Sequence, residues 1–408
     1  MISVSEGFKN ACKNGWVENQ LTIIVFGYYG NENLYIGNEN IIADSMAIEQ
    51  AISDEADLKF GGAIAGSFEI EISNMPDLTG RYITVVVTQK AMSPLYPGTT
   101  IFPGATLYPG YVAYTQSFYL FSGEVYSCKF TKNRLTRKLV AYDRFYWRGS
   151  IDCTKWYRTL YSSQDERTLY DIRKAVCEKF RLIEADDTVT LPADNLLVKM
   201  IDGSVTVGDL LRMICEFNGC FIYFNGGGNL VYCNISADTH SDEAAETYDY
   251  SYKNAVIEDF TKEKYTGIYF KMPTDFLAWD FRPDYSTDNL YYEENSLITS
   301  GYDEARYLYG NINSYDLALK PNFNIEYTPM ELTAATRLWV ELGDRISFKM
   351  RWYSIETVNG IEQSTAHNET VYSYVLSRRI TGTQFLMDEI NARGENIKYT
   401  EESFSNNS

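Results

Sequence analysis

YVAYTQSFYLFSGEVYSCKF (111–130), followed after a short gap by RLTRKLVAYDRFY (134–146), decides the fold. Both runs are dense in tyrosine, phenylalanine and valine and are bounded by polar or turn residues, which is the signature of strands. Working upstream, QLTIIVFGYY (20–29) and RYITVVVTQ (81–89) read the same way. FGGAIAGSFEIEISN (60–74) alternates at Phe68, Ile70 and Ile72 and ends at Asn74, before Met75-Pro76. Period-two patterns between turn residues predict an antiparallel β unit over 1–147.

SPLYPGTTIFPGATLYPG (93–110) interrupts it. An aromatic-Pro-Gly triplet recurs every six residues at Tyr96-Pro97-Gly98, Phe102-Pro103-Gly104 and Tyr108-Pro109-Gly110, and four of the ten prolines lie here. Pro followed by Gly favours type II turns, because Pro fixes φ and Gly accepts a positive φ. The segment reads as a stiff looped excursion, either an ordered connector or a partner-binding loop.

Residues 148–255 change character. DERTLYDIRKAVCEKF (165–180) places Leu169, Ile172, Val176 and Phe180 on one helical face, with Thr168 and Asp171 spaced as a capping box. SVTVGDLLRMICEFNG (204–219) repeats the design: Val207, Leu210, Leu211 and Ile214 form the stripe, Thr206 and Asp209 cap, and Asn218-Gly219 supplies a left-handed stop. CFIYFNGGGNLVYCNI (220–235) reads as a hairpin turning at Asn225–Gly228. From Val256 the β pattern resumes, with a strand expected at Thr266–Met272, a strand–turn–strand in LWVELGDRISFKM (338–350), and alternation at the start of YSYVLSRRITGTQFLMDEINARGE (372–395) before a short polar segment. Residues 396–408 read as a frayed tail. The fold class expected is mainly β with an α/β insertion.

Composition narrows the function. Lys plus Arg number 36 against 55 Asp plus Glu, a net charge of −19, which is no footprint for clasping nucleic acid. No apolar run approaches 18 residues, so no membrane span is expected, and the first twenty residues lack the basic start and apolar core of a secretory signal. Seven scattered cysteines lack metal-ligand spacing; Cys177 and Cys215 read as small core residues. The two histidines, His240 in DTHSDE and His367 in TAHNET, sit in polar stretches that read as loops. No HExxH, GxxxxGK[ST] or strand-borne GxGxxG occurs, and Gly226-Gly227-Gly228 lies in a hairpin turn, not at a helix N-terminus. Glu184, Asp186, Asp187, Glu293 and Glu294 are carboxylate candidates only because acids are abundant. These observations argue against an enzyme and imply no catalytic residue, cofactor or metal. The 34 tyrosines, with groups at Tyr157, Tyr161, Tyr170 and at Tyr285, Tyr291, Tyr292, fit either interfaces or half-buried sheet faces.

Several blocks together resemble the tail hub, or baseplate hub, proteins of phages, prophages and phage-tail-like particles of Gram-positive bacteria. They are IIADSMAIEQAISDEADLKFGGAIAGSFEIEISN (41–74) with Phe60-Gly61, LVAYDRFYW (139–147) with Ala141-Tyr142-Asp143, WYRTLYSSQDERTLYDIRKAVCEKF (156–180), LLRMICEFNGCFIYFNGGGNLVY (210–232) with Asn218-Gly219, ELGDRISF (341–348) with Gly343-Asp344, and YVLSRRITGTQFLMDEINARGE (374–395) with Asp388. They lie in order over nearly the whole chain. The resemblance implies two tail-tube-like antiparallel β-barrel domains, 1–147 and 256–395, joined through a peripheral insertion, 148–255. It implies a structural virion protein that forms a homotrimeric ring, adapts a sixfold tail tube to a threefold tip, and lines a channel through which DNA passes without sequence-specific binding. Implied partners are a distal tail or tail tube protein, a tape-measure protein, and tail spike, tip or baseplate proteins; the implied place is the virion tail tip, after synthesis in the bacterial host cytoplasm. The 93–110 loop departs from the pattern, and in such a ring it could face the lumen. Competing readings are another tail-tip component, a distal tail or receptor-binding protein, or a polysaccharide-binding or polysaccharide-active β-protein.

Overall fold

The computed structural model describes residues 2–29, 32–53, 58–94, 111–235, 244–249, 255–271, 276–280, 289–293, 295–299, 325–358 and 361–395. After helix α1 (Glu6–Asn14) come β1 (Trp16–Tyr29), β2 (Glu32–Ile36), one 3-10 turn at Asn38–Asn40, β3 (Ala47–Ala51), β4 (Ser67–Ser73), β5 (Tyr82–Pro94), β6 (Tyr111–Phe130) and β7 (Thr136–Tyr142). The insertion opens with α2 (Arg144–Gly149) and α3 (Thr154–Thr159), then β8 (Glu166–Thr168), α4 (Leu169–Phe180), β9 (Leu197–Lys199), α5 (Val207–Phe217), β10 (Phe221–Phe224) and β11 (Leu230–Cys233). The last part holds β12 (Glu246–Asp249), β13 (Ala255–Ile257), β14 (Gly267–Lys271), β15 (Phe276–Asp280), β16 (Leu290–Glu293), α6 (Ser296–Thr299), β17 (Met330–Ala335), β18 (Arg345–Val358), β19 (Ile361–Tyr374), β20 (Ser377–Thr381) and β21 (Met387–Ala392).

The structure is mainly β, built on one large antiparallel sheet of eleven strands in the order β13-β17-β21-β20-β3-β4-β7-β6-β5-β1-β2. Strands from both ends of the chain share it: β3 pairs with β20 from Ala47↔Thr381 to Ala51↔Ser377. Among the described residues the sheet does not close on itself, and β2 and β13 each pair on one side only. Alternation works as the sequence pattern requires. Leu21, Ile23 and Val25 of β1, Val85 and Val87 of β5, and Ile70 of β4 all face inward and are fully buried. Each such side chain stabilises the fold by about 1.5–3 kcal/mol relative to exposure. Phe68 stacks on Phe121 at 5.6 Å beneath the same layer, so a polar residue at 68 would open the core.

The insertion packs its helices as the stripes predict. Leu169, Ile172 and Val176 of α4 are buried, and Phe180 meets Trp156 edge-on at 5.2 Å. Thr206 and Asp209 form a reciprocal capping box: the Asp209 N–H donates to Thr206 Oγ1 at 3.1 Å, and the Thr206 N–H donates to Asp209 Oδ2 at 3.0 Å. Thr168 caps α4 by accepting from the Asp171 N–H, and α4 stops on Arg181, a non-glycine residue at φ 56°. The hairpin β10–β11 forms, and its turn runs one residue longer than expected: Phe224 pairs with Leu230 across Asn225–Asn229.

Three further expectations differ. Leu338–Leu342 is a turn, not a strand, because its backbone closes on itself: the Val340 N–H donates to Arg337 O at 3.0 Å and the Asp344 N–H to Glu341 O at 3.2 Å. Met387–Ala392, expected to be a polar terminal segment, is β21, where Met387, Glu389 and Asn391 alternate with buried Asp388, Ile390 and Ala392. His367, expected in a loop, lies in β19 opposite Trp352.

Candidate functional site

The motif residues gather into two joints. In the first, the loop after β3 meets the insertion. The Gly61 N–H donates to Cys220 O at 2.9 Å, and the Ile222 N–H donates to Gly62 O at 3.1 Å. Phe60 is buried, 5.6 Å from the Phe221 ring and 5.3 Å from Tyr291, whose hydroxyl accepts from the Phe60 N–H. Gly61 has φ +76°, and a Cβ there would lie 2.5 Å from Arg212 O and 2.7 Å from Glu216 Cβ, so glycine is the residue this approach allows. Opposite it, Asn218 is fully buried; its Oδ1 accepts from the Ala193 N–H at 2.7 Å and its Nδ2 donates to Ile214 O at 2.8 Å. Gly219 follows at φ +60° and ends α5. Phe60-Gly61 and Asn218-Gly219 therefore form one docking point between the first β unit and the insertion.

Ala141-Tyr142-Asp143 forms its other anchor. Ala141 is buried between Phe68 and Val125. Asp143 is the N-cap of α2: Oδ1 accepts from the Phe145 and Tyr146 N–H groups at 2.9 and 3.3 Å, and Oδ2 accepts from Gly66 N–H at 2.6 Å. Burial pushes its carboxyl up to about 7, with the three N–H donors pulling the other way. The hairpin tip adds a tether, since Ser122 Oγ donates to Gly226 O at 2.7 Å.

The second joint lies in the C-terminal unit. Gly343 has φ +82°, and a Cβ would lie 2.0 Å from Cys233 Sγ of the insertion hairpin. Asp344 Oδ2 accepts from the Glu341 N–H at 2.8 Å, closing the turn. Asp388 is fully buried and accepts from Arg378 Nε at 2.9 Å and Nη2 at 2.8 Å, and from the Arg337 N–H at 3.1 Å. Arg378 also donates to the carbonyls of Val340 and Arg337, so one guanidinium clamps the 337–344 turn onto β20 and β21. The first joint meets the insertion hairpin at Cys220–Ile222 and the second meets it at Cys233, the residue paired with Phe221.

The Tyr96, Phe102 and Tyr108 triplets, His240, Tyr285 and Glu294 fall outside the described residues. Of the other acids, Glu184 is buried beside Arg173, Lys174 and Tyr232, and Asp186 accepts from Thr188, whose hydrogen bonds hold it below its ordinary value. Cys177 and Cys215 are buried, and burial raises both thiols, Cys177 to about 11, which leaves little thiolate. Tyr157 and Tyr291 are buried while Tyr170 stays exposed, so the tyrosines serve core and surface alike. Among the described residues no cluster of three or more metal-ligating side chains occurs, and no helix is long and apolar enough to cross a membrane.

One feature left no mark in the motif reading. Strand β12 runs beside β18 only over Ile346–Lys349. From Met350↔Glu369 to Val358↔Ile361 the hairpin β18–β19 pairs only with itself among the described residues, and Tyr353 and Ser364–Ala366 are exposed along it. SIETV (354–358) and IEQSTAHNET (361–370) are rich in polar residues and give no sustained apolar alternation, so the sequence pattern does not mark the ribbon.

No family model matches the chain, and no curated protein sequence is similar to it. Among solved structures, the chain is similar to the 43 kDa tail protein of prophage MuSo2 from Shewanella oneidensis, at TM-score 0.47 and 12% identity, over 92% of this chain and 98% of that one. It is similar to a tail protein from Neisseria meningitidis MC58 at TM-score 0.46 and 15% identity, over 91% and 96%. Both likenesses run nearly end to end, at a level too low to establish a shared fold.

Proposed function

We propose that the chain is a non-enzymatic structural component of a phage-type tail, a homotrimeric hub whose ring joins tail tube to tail tip and leaves a channel for DNA. Units 1–147 and 256–395 would be its tube-like parts, 148–255 the peripheral insertion and 396–408 a tail. The observation that carries this reading is the open sheet. Strands from both units form one eleven-stranded antiparallel sheet that, among the described residues, has free edges at β2 and β13, and the ribbon β18–β19 extends past its last described neighbour. Free edges are pairing templates, and head-to-tail pairing of such a subunit closes a ring when the rotation fits. A two-stranded ribbon is marginal in water alone, which favours its burial against a neighbour. The ordered sequence blocks resembling tail hubs point the same way, and the charge of −19 suits a wall that phosphate backbones slide past.

The test is mass in solution and position in particles. A trimer at the tube–tip junction is expected; a hexamer in the tube, or a copy at the fibre position, defeats the reading. Trimming the ribbon between Met350 and Glu369 to a two-residue turn should leave the fold and abolish assembly. Replacing 93–110 with a short Gly-Ser linker should leave assembly intact if that segment only connects strands.

A further inference from the structure

Strands β1, β5, β6 and β7 bury one face in the core, and a half-solvated antiparallel sheet ordinarily carries polar residues on the other. At one end this outer face is aromatic instead. Phe26 of β1 packs on Tyr82 of β5 at 5.9 Å, and the Arg144 guanidinium of α2 lies 5.4 Å from the same ring. Tyr142 and Tyr146 stack at 4.1 Å and 15°. Tyr126, at an irregularity in the β6–β7 register, meets Tyr142 edge-on at 5.6 Å and lies 6.2 Å from Trp147. These rings hold one another in place, yet Tyr126 is 51% exposed and Phe26 and Tyr146 are each 41% exposed. Two buried donors within the cluster, Arg144 Nη1 and Trp147 Nε1, have no acceptor among the described residues.

Trp, Tyr and Arg are the residue types that carry most binding energy at protein interfaces, and rings already locked by packing lose little freedom on binding. The charge is also local: Arg81 precedes Tyr82, and Arg144 and exposed Arg148 lie one turn apart on α2, beside Glu124, which pairs with Tyr82, and the buried Asp143, on a chain of net charge −19. We infer that this aromatic–arginine face receives the acidic exterior of a second copy of the chain. Complementary charge favours that occupant, because each copy is strongly acidic outside this face. Position favours it too: Phe26 is two residues from Ile24, which pairs with exposed Tyr35 on the free edge strand β2. A copy adding its strand to β2 would lie against the face. The inference rests on the ring reading above and names one side of its subunit contact.

Sedimentation of the full chain across a concentration series tests it, with Tyr126→Asp and Arg148→Glu as variants. Leu135→Asp, an exposed apolar position in the β6–β7 turn outside the ring cluster, is the control. Wild type should associate, each variant should raise the apparent dissociation constant at least tenfold, the control should not, and all should melt alike. Raising salt from 0.05 to 0.5 M should weaken wild-type association more than that of Arg148→Glu. Variants that associate like wild type, or a control that weakens equally, overturn this inference and leave the ring standing. A wild type that stays monomeric at every concentration overturns the ring reading itself.

Discussion

Asp143 and Asp388 are both buried carboxylates, and their surroundings accommodate the charge by different means. Asp143 sits where strand β7 gives way to α2, so two free N–H groups of the helix start converge on it with that of Gly66, and among the described residues no cation is in hydrogen-bond contact with it. Asp388 sits inside β21, which is paired on one side with β17 and on the other with β20. Most backbone donors nearby are already in the ladder, so the charge takes a side-chain partner, Arg378, two residues from its cross-strand neighbour Ile380. Burial disfavours the guanidinium charge, but Asp388 beside it holds Arg378 above its ordinary value. At Asp143 three backbone donors do not offset burial and the carboxyl is raised, whereas Asp388 has a guanidinium as counter-charge.

The contrast breaks most sharply at Asp388. Asp388→Ala leaves a buried arginine without its anion and should cost about 3–5 kcal/mol, measured by denaturant unfolding. The double change Asp388→Leu with Arg378→Met should recover much of it; if the double variant is as weak as the single, the pair matters as a hydrogen-bond clamp on the 337–344 turn. At Asp143 the lever is pH. The folded value of about 7 lies above the ordinary aspartate value of 3.8, so the folded state binds more protons between them. The stability this supplies is full below about pH 4 and is lost as pH rises through 7, by on the order of 1.4 kcal/mol per pH unit within that window. Asp143→Asn, which keeps the cap and removes the titration, should flatten the slope; an unchanged slope would mean the three N–H donors keep Asp143 ionised throughout.

This difference also marks what the sequence could disclose. The alternation of Phe68, Ile70 and Ile72, the stripes of α4 and α5, and the Thr206–Asp209 cap are local patterns, and each reappears in the structure. Asn218-Gly219 was legible because a left-handed stop is local chemistry. The pairing of β3 with β20 joins residues more than three hundred apart, and no local pattern encodes it. Arg378 was invisible as a clamp for the same reason, since its partners come from β21 and from the turn before β18. The aromatic face is not local in sequence: Tyr126 and Tyr146 read as ordinary strand tyrosines and Tyr142 as a motif position, and only the β6–β7 irregularity and α2 bring the three together.

The smallest expected effect lies one residue from the largest. Arg379 follows Arg378 on β20 and points to the other face, where it pairs with Glu49 at 3.0 Å and Glu389 at 3.1 Å. All three side chains are about half exposed. Water already solvates these charges, so the pair gains little and is screened by salt, whereas the buried pair beside it has no such alternative. Arg379→Met should therefore cost at most about 1 kcal/mol, and less in 0.5 M salt, by the same unfolding measurement. A loss comparable to that of Asp388→Ala would mean that the β3–β20 seam, which Glu49 and Arg379 straddle, depends on this ion pair to hold the two β units in one sheet.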